Sequence, residues 1–271
     1  MRRGIAKIAG SRVIGVERVK CSRRPILIEP SGSALSRRLA GRTVQDVGRV
    51  GKRVVLQFDN ADRLIFEPRM TGLVLVADPP TTEHLRFRLD LADGPISHIW
   101  YWDRRGLGSI RLLTDKQFQD RLGSGALGPD ALSLSADDLR QRLNSSSRAI
   151  KVALLDQRAV AGIGNLYASE ILHLAAVHPA KRCNKLTIAQ WQAIHQHMLA
   201  VLELAIRYEG STLSDGTYRN ALNKAGGYQN HHRVYDRAGD LCPSCQQKTI
   251  IRIVQAQRAT FYCPNCQATR R

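Results

Sequence analysis

No stretch of this 271-residue sequence is long and apolar enough to span a bilayer. The opening residues, MRRGIAKIAGSR, do not read as a secretory leader either. Lys7 and Arg12 interrupt any apolar run, and Gly4 and Gly10 spoil an organelle-targeting helix. Internal repeats and low-complexity tracts are missing. Acids are scarce: 23 Asp and Glu stand against 41 Lys and Arg, and the first acid is Glu17. Cysteines are few and unevenly placed. Cys21 and Cys183 are isolated, with no neighbouring motif that would activate a thiol, and read as inert packing residues. The other four, Cys242, Cys245, Cys263 and Cys266, form two CxxC pairs. Without a leader, such pairs point to a metal site in a reducing compartment and away from a disulfide framework.

What is present in excess is positive charge. The formal net charge is +18 and the isoelectric point about 10.3, with bases spread along the whole chain. A surface of that sign attracts polyanions, so nucleic acid is the expected partner and binding should weaken steeply with salt. An anionic membrane surface is the weaker alternative, because no strongly basic amphipathic helix stands out. A hydrophobic content of 43% and a charged content of 24% suit a globular chain, and the length suits two domains with a small appendage.

Residues 1–120 are expected to be β-rich. VVLQF (54–58), LIF (64–66), LVLVA (73–77), LRFRLDLA (85–92), ISHIWYW (96–102) and SIRLL (109–113) are short runs, many of them β-branched or aromatic. LRFRLDLA alternates, which predicts one buried and one wet face, and the spacing fits a sandwich or barrel. Helical patterns then take over. Ser135 is a candidate N-cap for SADDLRQRL, RAIKVALLDQ (148–157) is helix-like, and NLYASEILHLAA (165–176) carries Tyr167, Ile171 and Leu174 on one face. In the longest helical pattern Thr187 and Gln190 make a capping box, with Trp191, Ile194, Met198, Val201 and Ala205 following and Gly210 placed to end it. His195 and His197 are expected on its surface. Residues 211–235 read as a polar loop.

Three short motifs carry chemistry. Thiolates three residues apart grip one metal from a tight turn, and two such turns complete a tetrahedron. Cys242, Cys245, Cys263 and Cys266 are therefore expected to hold one structural Zn2+ with no open coordination position. The segment between the pairs is long enough for a β-hairpin, which cannot bury enough surface alone and would fold on its metal. GIGN (162–165) feeds into a helix. It is either a phosphate-attracting helix start or an ordinary corner between helices. DRRGLG (103–108) is either a charged surface turn or a probe that enters the base stack, with an apolar wedge beside an arginine.

Together, DQRAVAGIGNLYASEIL (156–172), VYDRAGDLCPSC (234–245) and QRATFYCPNCQ (257–267) resemble the formamidopyrimidine-DNA glycosylases, within the wider family that includes endonuclease VIII. The resemblance covers nearly the whole chain. It implies an α+β fold: an N-terminal β-sandwich at 1–122, a helix–two-turn–helix DNA-binding domain at 123–235 and a β-hairpin zinc finger at 236–271. It implies a base-excision-repair enzyme that everts an oxidised purine, formamidopyrimidine or 8-oxoguanine, cuts its glycosidic bond and nicks the strand by β,δ-elimination. The expected partner is double-stranded DNA carrying such bases or abasic sites, bound by a monomer in bacterial cytoplasm, associated with the nucleoid.

By position, Lys52 matches the family's proton-donating hairpin lysine and Arg258 the finger arginine assigned to δ-elimination. Asn165 matches a phosphate contact. Met70, Arg105 and Leu107 match the trio that fills the hole left by the everted base, with Leu107 standing where Phe is usual. Arg86 stands in place of a DNA-contacting His, and Arg148 beside Ser147 in place of a lysine. Residues 213–228 match the loop over the everted base. The family's N-terminal Pro-Glu segment, source of its amine nucleophile, has no counterpart in MRRGIAKIAG. Met1 is accordingly expected to be an internal methionine of an active enzyme. The alternative is a lesion-recognising DNA-binding protein without catalysis. A zinc-ribbon RNA-binding protein would share the charge but not the three motifs together.

Overall fold

The computed structural model describes residues 1–123 and 125–268, so Ser124 and the last three residues of the expected 236–271 finger lie outside the described residues. The chain divides into two compact units. Unit 1 is Met1–Gly123 with Glu209–Gly227, and unit 2 is Ser124–Tyr208 with Tyr228–Arg271.

Unit 1 opens with the short helix α1 (Arg2–Ile5), then β1 (Arg12–Glu17), β2 (Leu27–Glu29), α2 (Ser33–Leu39), β3 (Val44–Val50), β4 (Arg53–Phe58), β5 (Arg63–Glu67) and β6 (Gly72–Leu75). It continues with β7 (Leu85–Ala92), β8 (His98–Asp103), β9 (Ser109–Leu113) and α3 (Asp115–Leu122). One sheet has the order β1-β7-β8-β6 and the other β2-β9-β5-β4-β3, antiparallel except for β2 against β9. Both send apolar side chains into one core: Phe87, Leu89, Ile99 and Tyr101 from the first, Leu56, Phe58, Leu64, Phe66 and Ile110 from the second. Phe66 meets Phe87 edge-on at 6.1 Å and stacks on Tyr101 at 5.8 Å, closing the sandwich. Burying each such side chain contributes roughly 1.5–3 kcal/mol.

Glu209–Gly227 contains no helix or strand. It is anchored inside unit 1: Ala221 is 1% exposed in the sandwich core and accepts a hydrogen bond from Val76 N at 2.9 Å, and Asn223 Nδ2 donates to Asp78 O at 2.9 Å.

Unit 2 holds α4 (Ala136–Leu143), α5 (Ile150–Leu154), α6 (Asn165–Leu174) and α7 (Ile188–Arg207), then the hairpin of β10 (Ile251–Gln255) and β11 (Arg258–Tyr262). Capping boxes start α4 (Ser135 with Asp138) and α7 (Thr187 with Gln190), so polar groups at the helix starts are satisfied locally while the apolar faces converge. Trp191, Ile194 and Met198 of α7 pack with Ile171 and Leu172 of α6 in one core. Two sequence expectations need correction. The segment 148–157 is helical only over Ile150–Leu154, because Asp156 already accepts turn bonds from Ala159 N and Val160 N. His195 is not a free surface residue: it is half-buried, and its Nε2 donates to Leu134 O at 2.7 Å. Among the described residues, no helix is long and apolar enough to cross a membrane.

Candidate nucleic-acid interface and zinc centre

In unit 1 the singled-out residues sit on turns between strands. Lys52 is exposed in the Gly51–Lys52 turn joining β3 to β4, where Gly51 takes a φ of 55° and its carbonyl accepts from Arg49 Nη1 at 2.6 Å. Met70 is 66% exposed on the turn between β5 and β6, just after Arg69 in the left-handed region. Arg104 and Arg105 are exposed and Leu107 half-buried on the turn between β8 and β9. Those two turns meet at Asp103. Its Oδ1 accepts from Thr71 Oγ1 at 2.5 Å and from Arg105 N at 3.2 Å, and its Oδ2 from Gly108 N at 2.8 Å. Arg104 also reaches Asp215 of the Glu209–Gly227 segment at 3.9 Å.

Arg86 does not lie at the surface. It occupies the register shift of β7 against β8, between the pairs Leu85↔Trp102 and Phe87↔Tyr101. A bulge of this kind re-aims its extra side chain, and Arg86 points inward, 3% exposed. Its Nε and Nη2 donate to Asp103 O at 3.0 and 2.9 Å, and Nη1 lies 2.6 Å from Cys21 Sγ. The donor expected to face DNA directly is therefore spent on the strand end that carries Asp103.

Unit 2 gathers a second group around a residue that sequence reading passed over. Lys151, from α5, is 1% exposed. Its Nζ donates to Asn165 Oδ1 at 2.6 Å, to Thr260 Oγ1 at 2.7 Å and to Ala259 O at 3.0 Å, and Asn165 Nδ2 donates to that same carbonyl at 2.9 Å. Burial first, then the charge of Arg258, pulls the Lys151 ammonium down to about 8. Its three acceptors match the three protons of the ammonium form. The node ties the start of α6 to the β11 residues that follow the exposed Arg258.

The turn before α6 is stitched by Gln157, whose Nε2 donates to Leu155 O and Ile163 O while its Oε1 accepts from Gly162 N. Gly162, at φ 110°, supplies a backbone conformation open to glycine, and Gly164 is the N-cap. Arg148 pairs with Asp156 at 2.9 Å, which holds the Asp156 carboxyl below the ordinary carboxylate range.

Arg258 follows Ala256 and Gln257, both at positive φ (46° and 61°), the geometry of the tight hairpin turn that matches strand twist. Behind it the four cysteine sulfurs lie within 4.8 Å of one another, with Cys242–Cys266 at 3.8 Å and Cys245–Cys263 at 3.7 Å. A tetrahedral zinc with sulfurs at about 2.3 Å requires edges of about 3.8 Å, so the donor set fits one Zn2+. Backbone amides of Gln247 and Lys248 draw the Cys245 thiol down to about 6, while burial and neighbouring thiols push Cys266 up. A zinc ion would favour the thiolate form and so offset that cost at Cys266.

The finger is fastened to α6 by further residues that sequence reading missed. His173 pairs with Ser244 Oγ and Gln267 Oε1, and Gln267 also accepts from Cys263 N and donates to Val177 O. The buried Glu170 accepts from the amides of Arg233, Val234 and Tyr235 at 2.8–3.0 Å. None of these has a motif of its own; only the long-range contacts reveal them.

Comparison with known proteins decides the family. The formamidopyrimidine-DNA glycosylase N-terminal domain profile matches residues 1–110, the H2TH domain profile residues 127–217, and the zinc finger found in FPG and IleRS residues 247–269. A formamidopyrimidine-DNA glycosylase of Chloroflexus aurantiacus is 40% identical over 90% of this chain and 87% of its own length. The chain belongs to the formamidopyrimidine-DNA glycosylase family. A Streptococcus thermophilus glycosylase of the same name is 35% identical over 98% of this chain and 96% of its own. Among solved structures, Lactococcus lactis Fpg in complex with DNA containing an abasic site is 31% identical, with a TM-score of 0.86 over 99% of this chain and 97% of that one. A complex of the same enzyme with Fapy-dG DNA gives a TM-score of 0.84 at 30% identity, with the same coverage. In this glycosylase the β-sandwich, the helical region and the four-cysteine hairpin are the family's parts in the family's order.

Proposed function

We propose that this chain is a base-excision-repair DNA glycosylase and abasic-site lyase that removes oxidised purines, formamidopyrimidine and 8-oxoguanine, from bacterial nucleoid DNA, acting as a cytoplasmic monomer. The supporting observation is the Lys151 node. It holds three phosphate-seeking groups in one hydrogen-bonded arrangement: the amides at the start of α6, Asn165 and the Arg258 hairpin.

In this reading unit 2 grips the sugar–phosphate backbone through Asn165, Arg258 and the neighbouring Arg148, on a finger kept rigid by zinc. Unit 1 presents Met70, Arg105 and Leu107 to the base stack, where the apolar pair wedges and the guanidinium fills the vacated space. Arg86 serves the same face from beneath, through Asp103. Lys52 supplies a proton near the lesion phosphate, and residues 213–228 cover the everted base. Excision itself needs an amine that displaces the base at C1′ and stays on the sugar as an iminium, the base leaving with the C1′–N electron pair and a proton; none of the residues named above takes that role. Loss of the 3′ and then the 5′ phosphate cuts the strand, the second step served by Arg258.

The test is borohydride trapping and incision on duplexes carrying formamidopyrimidine, 8-oxoguanine or an abasic site, with an undamaged duplex of the same sequence beside them. A covalent adduct and a one-nucleotide gap on damaged duplex alone are expected. Equal affinity for damaged and intact duplex at every ionic strength would overturn the reading. Preferential binding without an adduct would reduce it to lesion recognition.

A further inference from the structure

Asp103 is fully buried at the end of β8. Its carboxylate accepts from both turns that carry the wedge residues. Thr71, next to Met70 and 3% exposed, donates its hydroxyl to Oδ1 and accepts from Arg105 N at 3.0 Å. Arg105 N also reaches Oδ1, and Gly108 N, one residue after Leu107, donates to Oδ2. From below, the bulged Arg86 clamps the Asp103 carbonyl with two donors. The frame leaves little play. A Cβ at Gly108 would collide with the Tyr101 hydroxyl and Glu67 O, and one at Gly72 with Pro68 O. One carboxylate thus fixes Met70's turn and the turn of Arg105 and Leu107 in a single mutual geometry, although the wedge side chains themselves are exposed or half-buried.

We propose that Asp103 is a positioning residue for base eversion. By locking the two wedge turns together it sets the rate at which they enter the stack, and it takes no part in bond cleavage. Backbone entropy favours such a lock. Two independently mobile turns must each be ordered as they enter the duplex, at a cost of lost backbone freedom, whereas turns already locked to each other have met that cost on folding. Both oxygens of Asp103 must accept. Asp103→Asn turns one of them into a donor, which opposes Gly108 N or the pair of Thr71 and Arg105 N. The proposal rests on the reading of this chain as a lesion-everting glycosylase.

The experiment places 2-aminopurine beside 8-oxoguanine in a duplex and follows its unstacking by stopped-flow fluorescence, with the wild-type zinc-loaded chain and with D103N, T71V and T71S. A duplex carrying a stable abasic analogue, which has no base to evert, is run for affinity. D103N is expected to slow the 8-oxoguanine signal at least tenfold while its affinity for the abasic duplex stays within about threefold. T71V, which keeps the carboxylate but loses the link, should slow it less, and T71S, which restores the hydroxyl, should recover the rate. T71V and T71S carry the test if D103N fails to fold. Wild-type rates in D103N and T71V, or equal losses on both duplexes, would overturn the role of Asp103 alone. A wild-type chain with no lesion-dependent signal would overturn the functional reading and this proposal with it.

Discussion

An ammonium that is 1% exposed needs acceptors for each of its protons, and Lys151 has them in Asn165, Ala259 and Thr260. Lys151→Met would take the ammonium donor from Asn165 Oδ1 and the buried Thr260 Oγ1, while Ala259 O keeps its bond from Asn165 Nδ2, at about 1–3 kcal/mol; urea unfolding checks it. The pH dependence has a defined sign. The folded pKa lies at about 8 against an ordinary 10.5. Between those values the unfolded chain keeps a proton that the folded one has released, so this group's contribution to stability rises with pH there and is lost as pH falls to about 8. The stability difference between wild type and K151M should therefore grow from pH 7 to pH 10, by on the order of 2 kcal/mol. At the exposed Arg258 the expected change is electrostatic. Arg258→Ala should weaken binding to damaged duplex and flatten the plot of log affinity against log salt by about 0.9, the slope of one phosphate contact. Asn165 and Arg258 were legible in the sequence because each sits in a compact motif. Lys151 was not, since its partners lie up to 109 positions away; Asp103 lies within DRRGLG together with Arg105 and Gly108, but the donor that ties it to the other turn, Thr71, is 32 positions away.

Among the elements, strands with unbroken apolar alternation could be read directly; β7 matches the predicted 85–92 from end to end. β1 (RVIGVE) and β3 (VQDVGRV) could not, because glycine and charge interrupt them and pairing with a neighbour decides their state. α3 has no fully buried residue: only Phe118 and Leu122 lean on the cluster of Val55, Ile65 and Leu113, and its start is fixed by the capping box of Thr114 and Gln117. Two elements carry testable strain. At the turn before α6, Gly162→Ala puts a side chain at φ 110° and should cost about 1–3 kcal/mol in chemical denaturation. At the finger hairpin the opposite change is available. Ala256→Asn with Gln257→Gly supplies residues at ease with positive φ, so the melting temperature of the zinc-loaded chain should rise, by the equivalent of about 1 kcal/mol, with affinity for damaged duplex unchanged.

For the whole molecule, zinc and charge set the behaviour. The finger's own core is small, with Val234, Ile250, Phe261 and two of the cysteines at its centre, too little to hold a hairpin without metal. Elemental analysis should find one zinc per chain. Its removal by a chelator, or Cys245→Ser, should lower affinity for damaged duplex by about tenfold or more and release the Arg258 hairpin to proteases; an unchanged affinity would separate the finger from DNA binding. The three-part order was legible because each part has its own residue pattern. The return of Glu209–Gly227 to unit 1 was not, since nothing in that polar segment signals that Ala221 enters the sandwich core. That return has a consequence during synthesis. A ribosome that has released residue 123 has not yet made the segment that completes the sandwich, and roughly a hundred residues must follow, about 5–20 s at ordinary elongation rates. Through that interval the nascent N-terminal half waits with an unfilled seam, open to chaperones, and the part translated first is among the last to be finished.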